Sequence, residues 1–223
     1  MKKIAVIVAG GSGLRMGSAT PKQFLLLQNK PLLWYTVQAF ANAFSDIQIV
    51  LVLPQIHLQF GNTIAAMFPH VNIQVTTGGD SRFQSVKNGL AFVPNDAIVF
   101  IHDGVRCLIT PQLITNCYQQ ALQKGSAIPA VAATDSIRIA NGDDSVIADR
   151  NNVRIIQTPQ TFKSDLLLPA FKQPYSEAFT DEATVVEAFG EKVFLIEGDY
   201  TNLKITRPID LLIAEKILEE RAV

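Results

Sequence analysis

Along this chain the apolar residues alternate between short unbroken runs and helical spacing, and the elements follow from that alternation. Six successive apolar residues, Ile4 to Ala9, predict a strand buried on both faces. Pro31 then opens a helix whose apolar positions Leu33, Val37, Phe40, Ala41 and Phe44 share one face. Ile47 to Leu53 reads as the second strand, closed by Pro54. A weaker helix over about Ile56 to Phe68 leads to a strand at Val71 to Thr76. The turn Gly78-Gly79-Asp80-Ser81 starts a helix that runs to about Phe92. Ala97 to Ile101 is a short buried strand ending in His102-Asp103, followed by a helix over Pro111 to Lys124 and a strand at Ala127 to Ala133. Strands alternating with helices predict an α/β fold, a Rossmann-like three-layer sandwich with a mostly parallel mixed sheet. Ligands in such folds sit at the carboxyl ends of strands. The glycines after Ala9, the Gly79-Asp80 pair and Asp103 all fall at such ends, so one cleft can collect them.

Beyond Ala133 the pattern changes. Ser136 to Ala140 and Ser145 to Asp149 flank Asn141-Gly142-Asp143-Asp144 and read as a β-hairpin too polar for the core. The expectation is an arm, at about 134–156, that projects from the main sheet towards a partner subunit; an ordinary surface hairpin satisfies the same pattern. Val153 to Gln157 returns to the body. Helices near Asp165 to Phe171 and Asp181 to Phe189, a late strand at Val193 to Glu197 and a last helix starting near Thr206 to Pro208 complete one domain over 1–223. Pro208 suits the first turn of that helix and Asp210 complements its dipole. Ile209, Leu212, Ile213 and Ile217 are its expected buried stripe.

The candidate chemistry begins where the first strand stops. Gly10, Gly11 and Gly13 follow Ala9, and glycines there let successive backbone N–H groups point at one anion. Arg15 and Lys22 add two positive charges just beyond. The dinucleotide fingerprint G-x-G-x-x-G fails, because counted from Gly11 its last glycine falls on Met16. The Walker A loop fails too, since the chain contains no Gly-Lys pair. A phosphate site of another kind remains.

Composition excludes more than it assigns. The 223 residues carry a formal net charge of −1, so no overall basic field attracts nucleic acid or anionic membrane. No apolar run approaches the roughly 18 residues of a membrane span. Met1-Lys2-Lys3 before Ile4 imitates a secretory signal, but the run is shorter than the usual ~7–15 residues and ends in glycines and Arg15, so a cytoplasmic location is expected. Cys107 and Cys117 make neither a disulfide framework nor a metal-ligand spacing. His57, His70 and His102 are too scattered for a zinc site.

The order G-G-x-G-x-R-M-G followed by P-K-Q-F resembles the signature of nucleotidylyltransferases acting on sugar and polyol phosphates. Within them it is most similar to the 2-C-methyl-D-erythritol 4-phosphate cytidylyltransferase family. Four further stretches extend the resemblance over the whole chain: G-G-D-S-R-x-x-S-V at Gly78 to Val86, H-D-G-V-R at His102 to Arg106, D-R-N at Asp149 to Asn151 followed by Q-T-P-Q-x-F, and T-D-E-A at Thr180 to Ala183 with N-x-K-I-T at Asn202 to Thr206. Cys107 stands where the family usually has proline, which leaves every charged group in place.

The resemblance implies CTP as co-substrate, a polyol phosphate as acceptor and Mg2+ as cofactor. Carried over residue by residue, Ala9, Gly10, Gly11 and Gly13 line the nucleotide site, and Gly79, Asp80 and Ser85 lie near the cytosine. Asp103 is implied near the phosphates and metal, as the one candidate metal ligand. Arg15 and Lys22 stabilise the transition state, while Arg150 and Lys204 hold the acceptor phosphate beside Arg106, Ser136 and Thr180. The resemblance also implies a homodimer in which the arm carries Ser136 and Arg150 to the neighbour's site. Rival readings are a ribitol 5-phosphate cytidylyltransferase, a sugar-1-phosphate nucleotidylyltransferase using another base, and a nucleotide sensor without catalysis. Asp103 as a loop cap and Thr180-Asp181 as a plain helix cap are the structural alternatives.

Overall fold

In the computed structural model, which describes residues 1–10 and 21–221, the alternation read from the sequence holds. The order is β1 (Lys2–Val8), a small hairpin of β2 (Leu26–Leu27) and β3 (Lys30–Pro31), α1 (Leu32–Ala43), β4 (Gln48–Leu53), α2 (Leu58–Ala66), β5 (Asn72–Thr77) and α3 (Arg82–Leu90). Then come β6 (Ala97–Asp103), α4 (Pro111–Lys124), β7 (Ser126–Ala132), β8 (Ile137–Asn141), β9 (Asp144–Ala148), β10 (Arg154–Ile156), β11 (Gln160–Lys163), α5 (Ser164–Ala170), α6 (Glu182–Ala188), β12 (Leu195–Glu197) and α7 (Pro208–Arg221).

The main sheet runs β10-β7-β11-β6-β1-β4-β5, with β12 also pairing β7. β1 lies between β4 and β6, parallel to both. Its alternate residues serve two cores. Ala5 and Ile7 pack with Leu33, Val37 and Phe40 of α1 and Ile114 of α4. Ile4 and Val6 pack with Val86 and Leu90 of α3, Leu167 of α5 and Val186 of α6. A strand buried on both faces must be apolar throughout, which is why Ile4 to Val8 carry no polar residue. α4 shows local punctuation as well: Thr110 caps its start by accepting from the Leu113 N–H, and Gly125 at φ 87° ends it.

Three features depart from the sequence reading. β11 enters the sheet antiparallel between β6 and β7, where the sequence reading names no element between Gln157 and the helix near Asp165. Gln160 to Lys163 has one large apolar residue, Phe162, and both of its neighbours come from distant segments, so periodicity cannot reveal it. The final helix turns its expected stripe outward. Ile209, Leu212 and Ile213 are 55%, 62% and 43% exposed, and Ile217 is half-buried, whereas Ala214 is the buried contact against Leu27, Leu32 and Ile205. The helix is apolar on two sides, and the small residue wins because it lets the backbones approach. Finally, β8 and β9 form the expected hairpin, pairing only with each other among the described residues, but its turn is shorter than read, Gly142-Asp143 with Gly142 at φ 60°. Ile139, Val146 and Ile147 of this hairpin are exposed.

Candidate active site

The chain leaves β1 to build β4 and β5 on one side and returns to build β6 on the other, so β1 marks a topological switch point. The carboxyl ends there are tied together. The Ala9 N–H donates to the Val52 carbonyl at 2.9 Å, the Gly104 N–H to Val8 at 2.9 Å and the Gly78 N–H to Leu53 at 2.8 Å. A cleft of ≈ 260 Å³ opens over these ends, with Ala9, Gly10, Lys22, Gly79, Asp80 and Ser85 in its wall. Gly11, Gly13 and Arg15 lie outside the described residues. Lys22 sits in a short 3-10 turn whose next residue, the buried Gln23, donates to the Ala9 carbonyl at 2.8 Å, which anchors that turn to the end of β1.

Gly79, Asp80 and Ser85 come together as the turn into α3. Ser85 is a brace inside that turn: its hydroxyl accepts from the Gly79 N–H at 3.1 Å and donates to the Ser81 carbonyl at 2.9 Å. Ser81 caps α3 by accepting from the Gln84 N–H. Gly79 has no room for a side chain, since a Cβ there would lie 2.7 Å from the Gln84 Cβ.

A second lobe of ≈ 230 Å³ adjoins the first, and Arg106, Thr180 and Asp181 lie in its wall. Arg82, Asp103 and Lys204 line both lobes. Asp103, at the last position of β6, has Lys204 Nζ at 2.8 Å, Arg82 Nη2 at 3.4 Å and Arg106 Nε at 3.6 Å. Burial alone would push this carboxyl up; the positive charges of Arg82 and Lys204 outweigh it and hold the group well below the usual carboxylate range. Arg106 also donates to the Asn202 carbonyl at 2.8 Å, which secures the loop leading to Lys204. Asp181 is the N-cap of α6, in a reciprocal capping box with Thr184.

Two charged residues left unassigned by sequence sit here. Arg82 makes a paired contact with Glu182 through Nη1 to Oε1 and, at 3.0 Å, Nη2 to Oε2. Glu182 is 1% exposed. Burial pushes its carboxyl up and Arg82 pulls it back. Both residues occur inside quoted motifs, G-G-D-S-R and T-D-E-A, but 100 positions of sequence separate them, so nothing local reveals the pair.

Ser136 and Arg150 are not brought to this cleft within the chain. They line a separate hollow of ≈ 470 Å³ beside the arm, together with Ile137 and Ile147. Arg150 donates to the Thr134 carbonyl at 2.9 Å. Cys107 fills an apolar niche with Leu27, Leu32 and Leu108, and burial pushes its thiol up to about 12.

The family model described as IspD, 2-C-methyl-D-erythritol 4-phosphate cytidylyltransferase, matches residues 3–220. A protein of that name from Bacteroides thetaiotaomicron is 43% identical over 98% of this chain and 100% of its own length. The crystal structure of 4-diphosphocytidyl-2C-methyl-D-erythritol synthase from Anaerococcus prevotii superposes with a TM-score of 0.83 at 26% identity, covering 98% of each chain. That of Francisella tularensis 2-C-methyl-D-erythritol 4-phosphate cytidylyltransferase gives 0.81 at 30%, covering 97% and 99%. The family model over nearly the whole chain, the relative at 43% identity and the superposed folds agree: this chain belongs to the 2-C-methyl-D-erythritol 4-phosphate cytidylyltransferase family.

Proposed function

We propose that this chain transfers CMP from CTP to 2-C-methyl-D-erythritol 4-phosphate, releasing pyrophosphate and forming 4-diphosphocytidyl-2-C-methyl-D-erythritol. The observation that carries the reading is the family match over residues 3–220, and the two lobes meeting at Asp103 and Lys204 supply a place for each substrate. The family matched is that of the methylerythritol enzyme, so ribitol 5-phosphate is not favoured as acceptor.

CTP occupies the first lobe, its base at the Gly79-Asp80 turn braced by Ser85 and its phosphates over the end of β1 at Ala9 and Gly10. The acceptor occupies the second lobe, with its phosphate near Lys204, Arg106 and Thr180. An oxygen of that phosphate attacks the α-phosphorus. A new P–O bond forms, the bond to the β-phosphate oxygen breaks, and pyrophosphate leaves with the electron pair. The attacking phosphate is already ionised near neutrality, so the site needs cations and positioning rather than a base. Arg15 and Lys22 supply charge at the α-phosphoryl oxygens, and Lys204 holds the attacking phosphate.

Mg2+ fits this donor set in a limited way. Among the described residues no group of three His, Cys, Asp or Glu side chains is placed to hold a metal. A magnesium ion bound chiefly by triphosphate oxygens and water needs one or two carboxylates, and Asp103 stands at the junction of the lobes to be one. Bound there, it would neutralise triphosphate charge. The arm's exposed Ile139, Val146 and Ile147 suit a second copy of the chain, which would bring Ser136 and Arg150 to its neighbour's acceptor lobe.

The test is a coupled pyrophosphate assay with each of the four nucleoside triphosphates, methylerythritol or ribitol phosphate, and Mg2+ or chelator. Turnover is expected only for CTP with methylerythritol phosphate and Mg2+. Equal rates with ATP or GTP, or preference for ribitol phosphate, refute the assignment.

A further inference from the structure

In a nucleotidyl transfer the new bond forms where donor and acceptor lobes meet, so side chains lining both lobes face the reacting phosphorus. Of Arg82, Asp103 and Lys204, which do so, Arg82 has no role in the mechanism above. It is the first residue of α3, directly after the turn that takes the base. Its guanidinium crosses the wall of the cleft to Glu182 at the first turn of α6, beside Thr180 and Asp181 of the acceptor lobe. One cation therefore spans from the donor's turn to the acceptor's helix.

Its surroundings are those of a prepared group. The side chain is 32% exposed, and the exposed part is in the cleft. Arginine carries five N–H donors. Glu182 takes one from each terminal nitrogen, and Asp103 takes a long third at 3.4 Å. The guanidinium plane is thus pinned with donors to spare for phosphoryl oxygens. A buried ion pair adds little stability over apolar residues of the same size, so stability alone is a poor reason for the wall of a cleft to contain one. Lys204 and Arg106 already balance the charge of Asp103.

Resting on the reaction assigned above, we propose that Arg82 is a further catalytic residue, a fixed cation directed at the phosphoryl group during transfer, and that Glu182 is the positioning residue that holds it. The experiment compares the wild type with R82Q, R82K, E182Q and the double variant R82Q/E182Q. kcat is read from pyrophosphate release and CTP affinity from calorimetry. R82Q and the double variant should lose about 10²-fold or more in kcat, as for removal of one preorganised donor, with CTP affinity within about threefold of wild type. R82K should recover part of the loss, and E182Q, whose guanidinium is present but unpinned, should fall about tenfold. R82Q alone leaves the Glu182 charge buried and unpaired; if it fails to fold, the double variant, with neither charge, decides. A folded double variant with kcat within about threefold of wild type overturns the proposal. So does a loss of kcat matched by a proportional loss of CTP affinity and melting temperature, which marks a structural pair. A wild type that releases no pyrophosphate from CTP and methylerythritol phosphate overturns the reaction and this role together, whereas active variants beside an active wild type overturn the role alone.

Discussion

His102 makes acid stability a sharp test of the site's geometry. Its ring is fully buried at the end of β6, edge-on to Phe40 at 5.3 Å between centroids. Nδ1 lies 3.1 Å from the Thr158 hydroxyl and Nε2 3.2 Å from the Arg106 carbonyl. The Thr158 hydroxyl in turn accepts from the Asp103 N–H at 3.0 Å. A neutral imidazole donating from Nε2 and accepting at Nδ1 satisfies every one of these groups. Burial pushes His102 down to about 4. In the unfolded chain a histidine titrates near ~6.5, so as pH falls from there to about 4 the unfolded state binds a proton that the folded state refuses. Stability is therefore intact above that window and lost as pH falls through it. At about 1.4 kcal/mol per pH unit the whole window is worth about 3 kcal/mol, of which about 2 kcal/mol is lost by pH 5. His102→Gln removes the titration. Urea unfolding of both proteins between pH 7 and pH 5 should show the gap in stability between wild type and variant shrinking by about 2 kcal/mol. Taking the difference cancels Glu182, whose raised carboxyl acts in the opposite direction, and Asp103, whose lowered carboxyl matters only below the ordinary carboxylate range. A gap constant to within about 0.5 kcal/mol would mean that His102 is hydrated or charged in the fold rather than buried and neutral.

Three other outcomes are expected. Lys22→Ala and Arg15→Ala should each lower kcat by roughly 10²-fold or more with the circular dichroism spectrum unchanged; an unchanged kcat with only a raised KM would make the residue a binder. Lys22→Ala and Arg150→Ala chains, each nearly inactive alone, should recover roughly a quarter of wild-type activity when refolded together, because half the dimers are mixed and each mixed dimer has one intact site. Mixed dimers that form yet stay inactive would place Arg150 in its own subunit's site. On α7, Leu212→Ser should change stability by less than about 0.5 kcal/mol, while Ala214→Phe should cost about 1–3 kcal/mol through overpacking, both read from urea midpoints; a large loss from Leu212→Ser would put the sequence-expected stripe back in the core.

Local signals made most of the fold legible in the sequence. Ile4 to Val8 has no polar residue because both faces of β1 are covered, and Pro31, Thr110-Pro111 and Gly125 mark helix ends by their own backbone chemistry. The glycine run, Gly79-Asp80 and Asp103 stood out because they fall at the carboxyl ends of predicted strands, where such folds bind ligands; Lys204 was implied only by the family resemblance. What those signals lack is any measure of distance in space. β11 is held by β6 and β7, both remote in sequence, and its own residues carry too little apolar content to announce a central strand. Which face of α7 is buried depended on close approach at Ala214, not on the larger apolar stripe that periodicity favours. The Arg82–Glu182 pair and the relay from His102 through Thr158 to the Asp103 N–H join segments far apart in the chain, and burial is what gives both their force, because a charge or hydrogen bond removed from water must find its partner inside. Residue type and strand ends are written locally in the chain, whereas which charges face one another across the cleft follows from packing that brings remote segments together.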